Sequence, residues 1–167
     1  MPTTVTTAFT SSPQAEKPLE DVRIAFAPLS LETVYRLADR PAHGAVVIMS
    51  GMVRNQTAGQ AVVALEYQAY EPMALEVFRQ IAQEIGQRWP GVGRVVIHHR
   101  IGKLQVGDIS VLVGVGCPHR SEAFQACQFA IDNLKHRAPI WKKEWYQSKD
   151  GHLSGRWVSI GDCDSDG

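Results

Sequence analysis

The sequence lacks a net charge, because 17 Lys and Arg residues balance 17 Asp and Glu residues in a chain of 167 residues. A neutral protein has no overall field that would hold nucleic acid or an anionic membrane. We therefore expect neither nucleic acid nor a membrane as a partner. Any anion-binding site must be local and built from a few cationic side chains.

Long apolar runs are also missing. The longest apolar stretches, such as residues 44–49 and 109–116, have only the length of strands, whereas a membrane-spanning helix needs ~20 apolar residues. The N-terminal segment shows no basic stretch followed by a continuous apolar one, which is the pattern of a secretory signal. These features favour a cytoplasmic protein.

Cysteine is scarce. Cys117, Cys127 and Cys163 are odd in number and form neither a C-x-x-C pair nor a repeated Cys/His spacing. This pattern argues against both a disulfide framework and a structural zinc site. We expect free thiols and no metal ion.

The composition divides the chain into three parts. Residues 1–20 are rich in Thr, Ser and Pro, which predicts a disordered tail because such a segment buries too little apolar surface to offset the entropy of ordering. Residues 161–167 are similarly polar and are expected to fray. Residues 21–160 have the size and patterning of a single domain.

Apolar periodicity predicts three helices. A short helix is expected over residues 30–39, with Ser30 as its N-cap. Amphipathic spacing predicts a long helix over residues 72–89 and a second long helix whose apolar positions run from residue 123 to residue 134. Pro139 prevents the second helix from continuing because it lacks an amide hydrogen.

Short β-branched or alternating segments predict the strands. They cover residues 23–27, 44–53, 61–70, 93–102, 108–116, 140–146 and 156–160. Residues 44–53 and 61–70 are expected to form an antiparallel pair joined by a polar loop over residues 54–60. Because hairpins predominate, we expect an α+β fold with a mostly antiparallel sheet, two long amphipathic helices and one short helix.

Two polar clusters are candidate anion sites. Arg54, directly after the strand over residues 44–53, offers a planar fork for an anion, and the alternative is a solvated loop arginine. Residues 117–121 lie between a strand and a helix start, where free backbone amides beside His119 and Arg120 favour a phosphate or carboxylate. Here the alternative is an exposed loop.

A third cluster, residues 134–144, places several basic side chains around an Ala-Pro-Ile-Trp segment. Burial beside apolar surface lowers the pKa of a lysine, which would make an amine in this cluster a usable nucleophile or general base. Lys135 lies on the predicted helix and Lys142 lies beyond Pro139, so the two amines meet only if the chain reverses. The alternative is a set of surface cations.

Four motifs in this order resemble the large, catalytic subunit of molybdopterin synthase. They are GAVVIMSGMVRN, HRIGKLQVGD, VGVGCPHRSEAF and LKHRAPIWKKE. The similarity runs from about Gly44 to Val158, and four motifs in register are far more specific than one short pattern.

The resemblance implies an α/β-hammerhead-like fold, a homodimer and a heterotetramer in which each end carries a small ubiquitin-like sulfur-carrier subunit. The carrier's C-terminal Gly-Gly thiocarboxylate is expected to enter a pocket of this chain. Two sulfur transfers would then convert cyclic pyranopterin monophosphate to molybdopterin, in molybdenum-cofactor biosynthesis. This sulfurtransferase would need no bound cofactor.

The resemblance also implies the site residues. Lys135 and Lys142 are the expected catalytic residues, positioning the thiocarboxylate, stabilising oxyanions or moving protons. Arg54, His119 and Arg120 are expected to hold the substrate phosphate. The full set of expected substrate-binding residues is Met52, Val53, Arg54, His119, Arg120, Lys143 and Glu144.

The distance along the second long helix indicates a shared pocket. Arg120 and Lys135 are separated by about 22 Å if the helix rises ~1.5 Å per residue, which is more than one phosphorylated pterin spans. We therefore expect His119 and Arg120 of one protomer to face Lys135, Lys142 and Arg54 of the other.

Two alternatives remain open. The first is a non-catalytic dimeric scaffold that docks a β-grasp partner through a sheet edge. The second is an acyl or sulfur transferase in which His119 and the adjacent helix end activate Cys117 as a thiolate nucleophile.

Overall fold

A computed structural model describes residues 19–160. Residues 1–18 of the expected tail at residues 1–20, and the expected tail at residues 161–167, lie outside the described residues, whereas Glu20 is the first residue of a strand. The described part contains three helices, α1 (Leu31–Ala38), α2 (Glu71–Arg88) and α3 (Arg120–Arg137). It contains nine strands, β1 (Glu20–Ala25), β2 (Ala45–Met52), β3 (Gln56–Thr57), β4 (Gln60–Ala69), β5 (Arg94–Arg100), β6 (Gly102–Gln105), β7 (Ile109–Cys117), β8 (Ile140–Gln147) and β9 (Leu153–Ser159).

These strands form two sheets. The first has the order β1-β5-β7-β2, and the second has the order β3-β4-β8-β9 with β6 also bonded to β4. Only β1 and β5 run parallel; every other pairing among the described residues is antiparallel. The predicted α+β fold, with a mostly antiparallel arrangement, two long helices and one short one, is confirmed.

The predicted pairing of residues 44–53 with 61–70 is wrong. β2 pairs with β7, with Ala45 opposite Cys117, whereas β4 pairs with β8, with Ala69 opposite Ile140. The two strands are consecutive in the chain but belong to different sheets. Alternation of apolar side chains shows that a segment is a strand, but it does not identify the strand's partner.

The helices cover both faces of the first sheet. α2 and α3 pack on one face, where Phe78, Ile81 and Leu134 belong to the larger apolar core. α1 packs on the other face, where Val34 belongs to a smaller cluster with Leu112. No helix among residues 19–160 is long and apolar enough to cross a membrane.

The helix α1 begins at its predicted N-cap, and two side chains from outside the helix bind carbonyls at its other end. The Ser30 hydroxyl accepts a hydrogen bond from the Thr33 amide at 3.1 Å, which satisfies one of the free amides of the first turn. At the C-terminal end, Arg94 Nε donates to the Leu37 carbonyl at 2.9 Å. His43 Nδ1 donates to the carbonyl of Ala38 at 2.9 Å.

Arg94 therefore ties α1 to the sheet. Its guanidinium also donates to the Glu20 carbonyl at 3.3 Å, and the residue is only 3% exposed. A buried carbonyl that loses its donor keeps the cost of desolvation without compensation.

We expect Arg94→Met to lower the free energy of unfolding by about 2–4 kcal/mol, because the part-buried carbonyls of Leu37 and Glu20 lose a charged donor. Urea denaturation at neutral pH measures this change. The matched control is Arg36→Met, which removes an exposed ion pair from the same helix and should cost less than ~0.5 kcal/mol. Equal losses in the two variants would contradict the role assigned to Arg94.

Candidate active site

A cavity of about 430 Å³ lies where the two sheets meet the C-terminal half of α3. The strand β8 and the helix α3 both contribute charged side chains to this cavity, and apolar side chains lie between the charged ones. Its lining residues are Met49, Gly51, Met52, Arg54, Thr57, Val62, Leu65, Tyr67, His99, Ser110, Val111, Ile131, Asp132, Leu134, Lys135, Lys142, Glu144 and Ile160. Five of the nine predicted site residues are in this set.

A chain reversal brings the two predicted lysines into this cavity. α3 ends at Arg137, and Ala138 and Pro139 turn the chain directly into β8. The Pro139 carbonyl accepts a hydrogen bond from the Tyr70 amide at 3.1 Å, which joins this turn to the end of β4. Lys135 of α3 and Lys142 of β8 therefore line one pocket.

Lys142 is paired with a buried carboxylate. Lys142 and Glu144 are two residues apart on β8, so they share a strand face. Lys142 Nζ lies 3.0 Å from Glu144 Oε1, and the two residues are 8% and 3% exposed. The carboxyl group keeps its charge through the contacts around it.

Burial alone would raise the pKa of Glu144, but other effects outweigh it. Hydrogen bonds from Tyr146 and Lys142, with the positive charges of Lys142 and Arg54, hold the pKa of this carboxyl below its usual value. Glu144 is therefore an anion at neutral pH, and it lies among cations that a substrate anion would also contact.

The end of β2 places two more predicted residues in the cavity. The register of β2 against β7 shifts between Gly51 and Met52, and a shift of this kind redirects the side chains that follow. Met52 and Arg54 line the cavity. Val53 between them is 3% exposed and belongs to the core, and its amide donates to the Asp108 carbonyl at 3.0 Å.

Lys143 lies on the opposite face of β8 from Lys142. Its Nζ is 4.1 Å from the ring centre of Trp145 and 5.7 Å from that of Trp157, distances that allow cation–π attraction. The structure therefore places Lys143 outside the cavity that holds Lys135 and Lys142.

His119 and Arg120 line a second pocket, of about 390 Å³, at the start of α3. Gly44, Pro118 and Ser121 complete its lining. Since Lys135 belongs to the last turn of the same helix, the two pockets are at opposite ends of α3. One chain by itself does not bring His119 and Arg120 to the two lysines.

Cys117 has the properties of a structural thiol. The residue is fully buried, and its Sγ donates to Glu122 Oε2 at 3.2 Å. Burial and the adjacent carboxylate raise the pKa of the Cys117 thiol, whereas a nucleophilic cysteine needs a lowered pKa. The structure argues against the transferase mechanism that uses Cys117. Among residues 19–160, no group of three or more His, Cys, Asp or Glu is arranged to hold a metal ion.

His99 is a cavity residue that the sequence analysis missed. Its ring makes an edge contact with Tyr67, with the ring centres 5.2 Å apart, and its Nδ1 donates to the Arg100 carbonyl at 2.8 Å. Burial lowers the pKa of His99 to about 4, so the ring is neutral at physiological pH. Its position on the same strand face as the apolar Val95 and Ile97 was the only available signal.

Similarity to known proteins identifies the family of this chain. A model of the MoaE protein family matches residues 24–137. The molybdopterin synthase catalytic subunit of Nostoc sp. (strain PCC 7120 / SAG 25.82 / UTEX 2576) is 70% identical over 144 residues, which are 86% of this chain and 85% of that protein. The chain belongs to the MoaE family. The family expected from the four motifs is thereby confirmed.

Solved structures agree with this MoaE assignment. Molybdopterin synthase from Staphylococcus aureus has a TM-score of 0.75 and 40% identity, covering 81% of this chain and 94% of that one. A complex of subunits 1 and 2 of molybdopterin-converting factor from Helicobacter pylori 26695 has a TM-score of 0.63 at 24% identity, covering 74% and 83%. At that identity the second likeness supports the MoaE fold alone.

The buried imidazole makes the stability of this MoaE chain depend on pH. The pKa of His99 is about 4 in the folded state and ~6.5 in an unfolded chain, so the unfolded state binds the proton more readily. The contribution of the neutral His99 to the free energy of unfolding is fully present above pH ~6.5. As the pH drops towards 4, up to about 3 kcal/mol of this contribution is lost.

We expect His99→Asn to show a smaller loss of unfolding free energy between pH 7 and pH 4.5 than the wild type, because the titrating group is gone. Urea denaturation at the two pH values measures the difference. His152→Gln, at an exposed turn position, should retain the wild-type profile. An unchanged profile in His99→Asn would show that the imidazole is not the group responsible.

Proposed function

We propose that this chain transfers two sulfurs from a small ubiquitin-like carrier subunit to cyclic pyranopterin monophosphate, yielding the dithiolene of molybdopterin. The observation that carries the proposal is the cavity in which Lys135, Lys142, Arg54 and the buried Glu144 meet. The naming of its MoaE relatives as catalytic subunits of molybdopterin synthase supports it. Because each of these relatives is named as one subunit of an enzyme, their names also support a second, different chain as the partner of this protein.

Each sulfur transfer balances without a redox reagent. The thiocarboxylate sulfur at the carrier's C-terminal Gly-Gly forms a bond to a carbon of the precursor as the bond from that carbon to an oxygen substituent breaks. The oxygen leaves with the electron pair of that bond and takes up a proton. Water then attacks the carrier's acyl carbon, the bond between this carbon and sulfur breaks, and the carrier leaves with a carboxylate. The electron pair of the broken bond stays on the sulfur, which is now attached to the pterin.

Two stages of this reaction need positive charge. The thiocarboxylate is an anion that must be held close to the precursor, and an oxyanion develops when water attacks the acyl carbon. Lys135 and Lys142 are the cationic donors we assign to these stages, because preorganised donors stabilise developing charge in a site with little water. Met52 supplies apolar surface beside them, and Glu144 orients Lys142 through the 3.0 Å contact.

The substrate phosphate is assigned to a site shared by two protomers. Arg54 lines the cavity of the lysines, whereas His119 and Arg120 line the pocket at the start of α3. From Arg120 to Lys135 the helix rises about 22 Å, so these groups can act on one small substrate only if they come from different chains. We therefore propose a homodimer core within a heterotetramer, with one carrier bound at each end.

We place the reaction in the cytoplasm. Cys117 and Cys127 are both free thiols, and a reducing compartment is where free thiols are maintained. A thiocarboxylate also persists more readily where oxidants are scarce.

We expect Lys135→Ala and Lys142→Ala each to slow dithiolene formation by at least ~100-fold, because each removes a donor to a developing charge. Single-turnover conversion of the precursor with thiocarboxylated carrier measures this rate. Cys117→Ser is the control, and it should keep the wild-type rate.

The outcomes separate the competing functions. Product from the wild type that is lost with either lysine supports the proposal. Absence of product from the wild type with a competent carrier would favour the scaffold, which tolerates loss of both lysines. Selective loss in Cys117→Ser would favour the thiol mechanism.

The shared site has its own test. Mixed dimers of an Arg120→Ala chain with a Lys135→Ala chain should recover about one working site in two, because one of the two sites then holds neither substitution. Single-turnover product per dimer measures the recovery against both mutant homodimers. If the mixed dimers form no more product than the homodimers, each site is built from one chain.

A further inference from the structure

Tyr146 extends the row of polar side chains that begins at Lys142. Lys142, Glu144 and Tyr146 alternate along β8 and therefore share one strand face. The Tyr146 hydroxyl donates a hydrogen bond to Glu144 Oε2, while Lys142 Nζ lies 3.0 Å from Glu144 Oε1. The two oxygens of one buried carboxylate are thus held by two different partners.

We propose that Tyr146 is a positioning residue for sulfur transfer, because it fixes the Glu144 carboxylate in the orientation that holds the Lys142 ammonium in the cavity. This inference rests on the function proposed for Lys142. Tyr146 is outside the described lining of the cavity, so it acts through Glu144 and not on the substrate.

The need for a second partner follows from the flexibility of a carboxylate. The terminal torsion of Glu is broad, so contact through one oxygen leaves the group free to rotate. A donor on the other oxygen fixes the plane of the carboxylate, and a phenol is a rigid donor with few rotatable bonds. Glu144 is 3% exposed, which leaves little access for water to replace that donor.

The surrounding charges explain why a neutral donor is suited to this position. Arg54 acts on Glu144 from the cavity side, and its charge helps to lower the pKa of this carboxyl. Arg156 is opposite Glu144 on β9. Both arginines are potential competitors of Lys142 for the carboxylate. A phenol on Oε2 reserves Oε1 for Lys142 and adds no charge.

The phenol also remains a donor over the working pH range. Burial, together with the hydrogen bond and charge of Glu144, raises the pKa of Tyr146 to about 12. The hydroxyl therefore stays protonated at neutral pH. A protonated phenol does not act as a base towards the Lys142 ammonium, whose contact is with Glu144 Oε1.

The test is Tyr146→Phe, which removes one hydroxyl and keeps the ring. With thiocarboxylated carrier, the single-turnover rate at saturating precursor should fall by about tenfold, while the precursor concentration giving half the maximal rate changes little. In a Glu144→Gln background the same substitution should have almost no further effect, because Tyr146 acts through Glu144.

A second readout does not depend on activity. The pKa of the Glu144 carboxyl, followed by ¹³C NMR of glutamate-labelled protein, should rise in Tyr146→Phe, since a hydrogen bond that favours the charged form is lost. The activity of the variant should consequently begin to fall at a higher pH than that of the wild type as the solution is acidified. Tyr35→Phe, on the exposed surface of α1, is the matched control and should change none of these values.

The results distinguish this inference from the proposed function. Equal rate losses from Tyr146→Phe in the wild-type and Glu144→Gln backgrounds would overturn it, as would an unchanged pKa of Glu144. If the wild type forms no product with competent carrier, the proposed function fails, whereas the NMR titration still decides whether Tyr146 orients Glu144.

Discussion

The pairing of β8 with β4 is the constraint on which the cavity depends. It sets Lys142 opposite Tyr67 and Glu144 opposite Leu65. Because only two residues separate α3 from β8, the same pairing also carries the end of α3, with Lys135, to that place. β6 pairs with the other edge of β4 and begins directly after β5. β4 is thus hydrogen-bonded to strands that lead into both the helix and the first sheet.

This arrangement buries charge, which requires compensation. An ion pair taken out of water loses hydration that its mutual attraction recovers only with good geometry and further hydrogen bonds. The Lys142–Glu144 pair meets both conditions, through its 3.0 Å contact and the Tyr146 hydroxyl. The neutral His99 adds a polar group to the cavity without another positive charge. The cavity therefore keeps a small number of cations, of which Lys142 is held by Glu144.

Much of the fold was predictable from local patterns. Ser30 was recognisable as an N-cap, and the spacing of apolar residues predicted both long helices, because helix periodicity is a property of the segment itself. The pairing of β2 with β7 and the existence of β6 were not predictable, because strand partners are chosen by packing across distant parts of the chain. His99 and Tyr146 were missed for a similar reason. Neither has a local pattern that distinguishes it from an ordinary strand residue.

The sequence by itself determined the family, the helices and which side chains were available for chemistry, since four motifs in order and local periodicity are written directly in the chain. It also placed Arg120 and Lys135 at opposite ends of one helix, because helix rise per residue is constant. Only the tertiary structure decided that Lys135, Lys142 and Arg54 share a cavity, that Val53 is in the core and that Lys143 faces two tryptophans. Those outcomes depend on strand pairing and on which face of each strand is buried, and these are set by contacts between residues far apart in sequence.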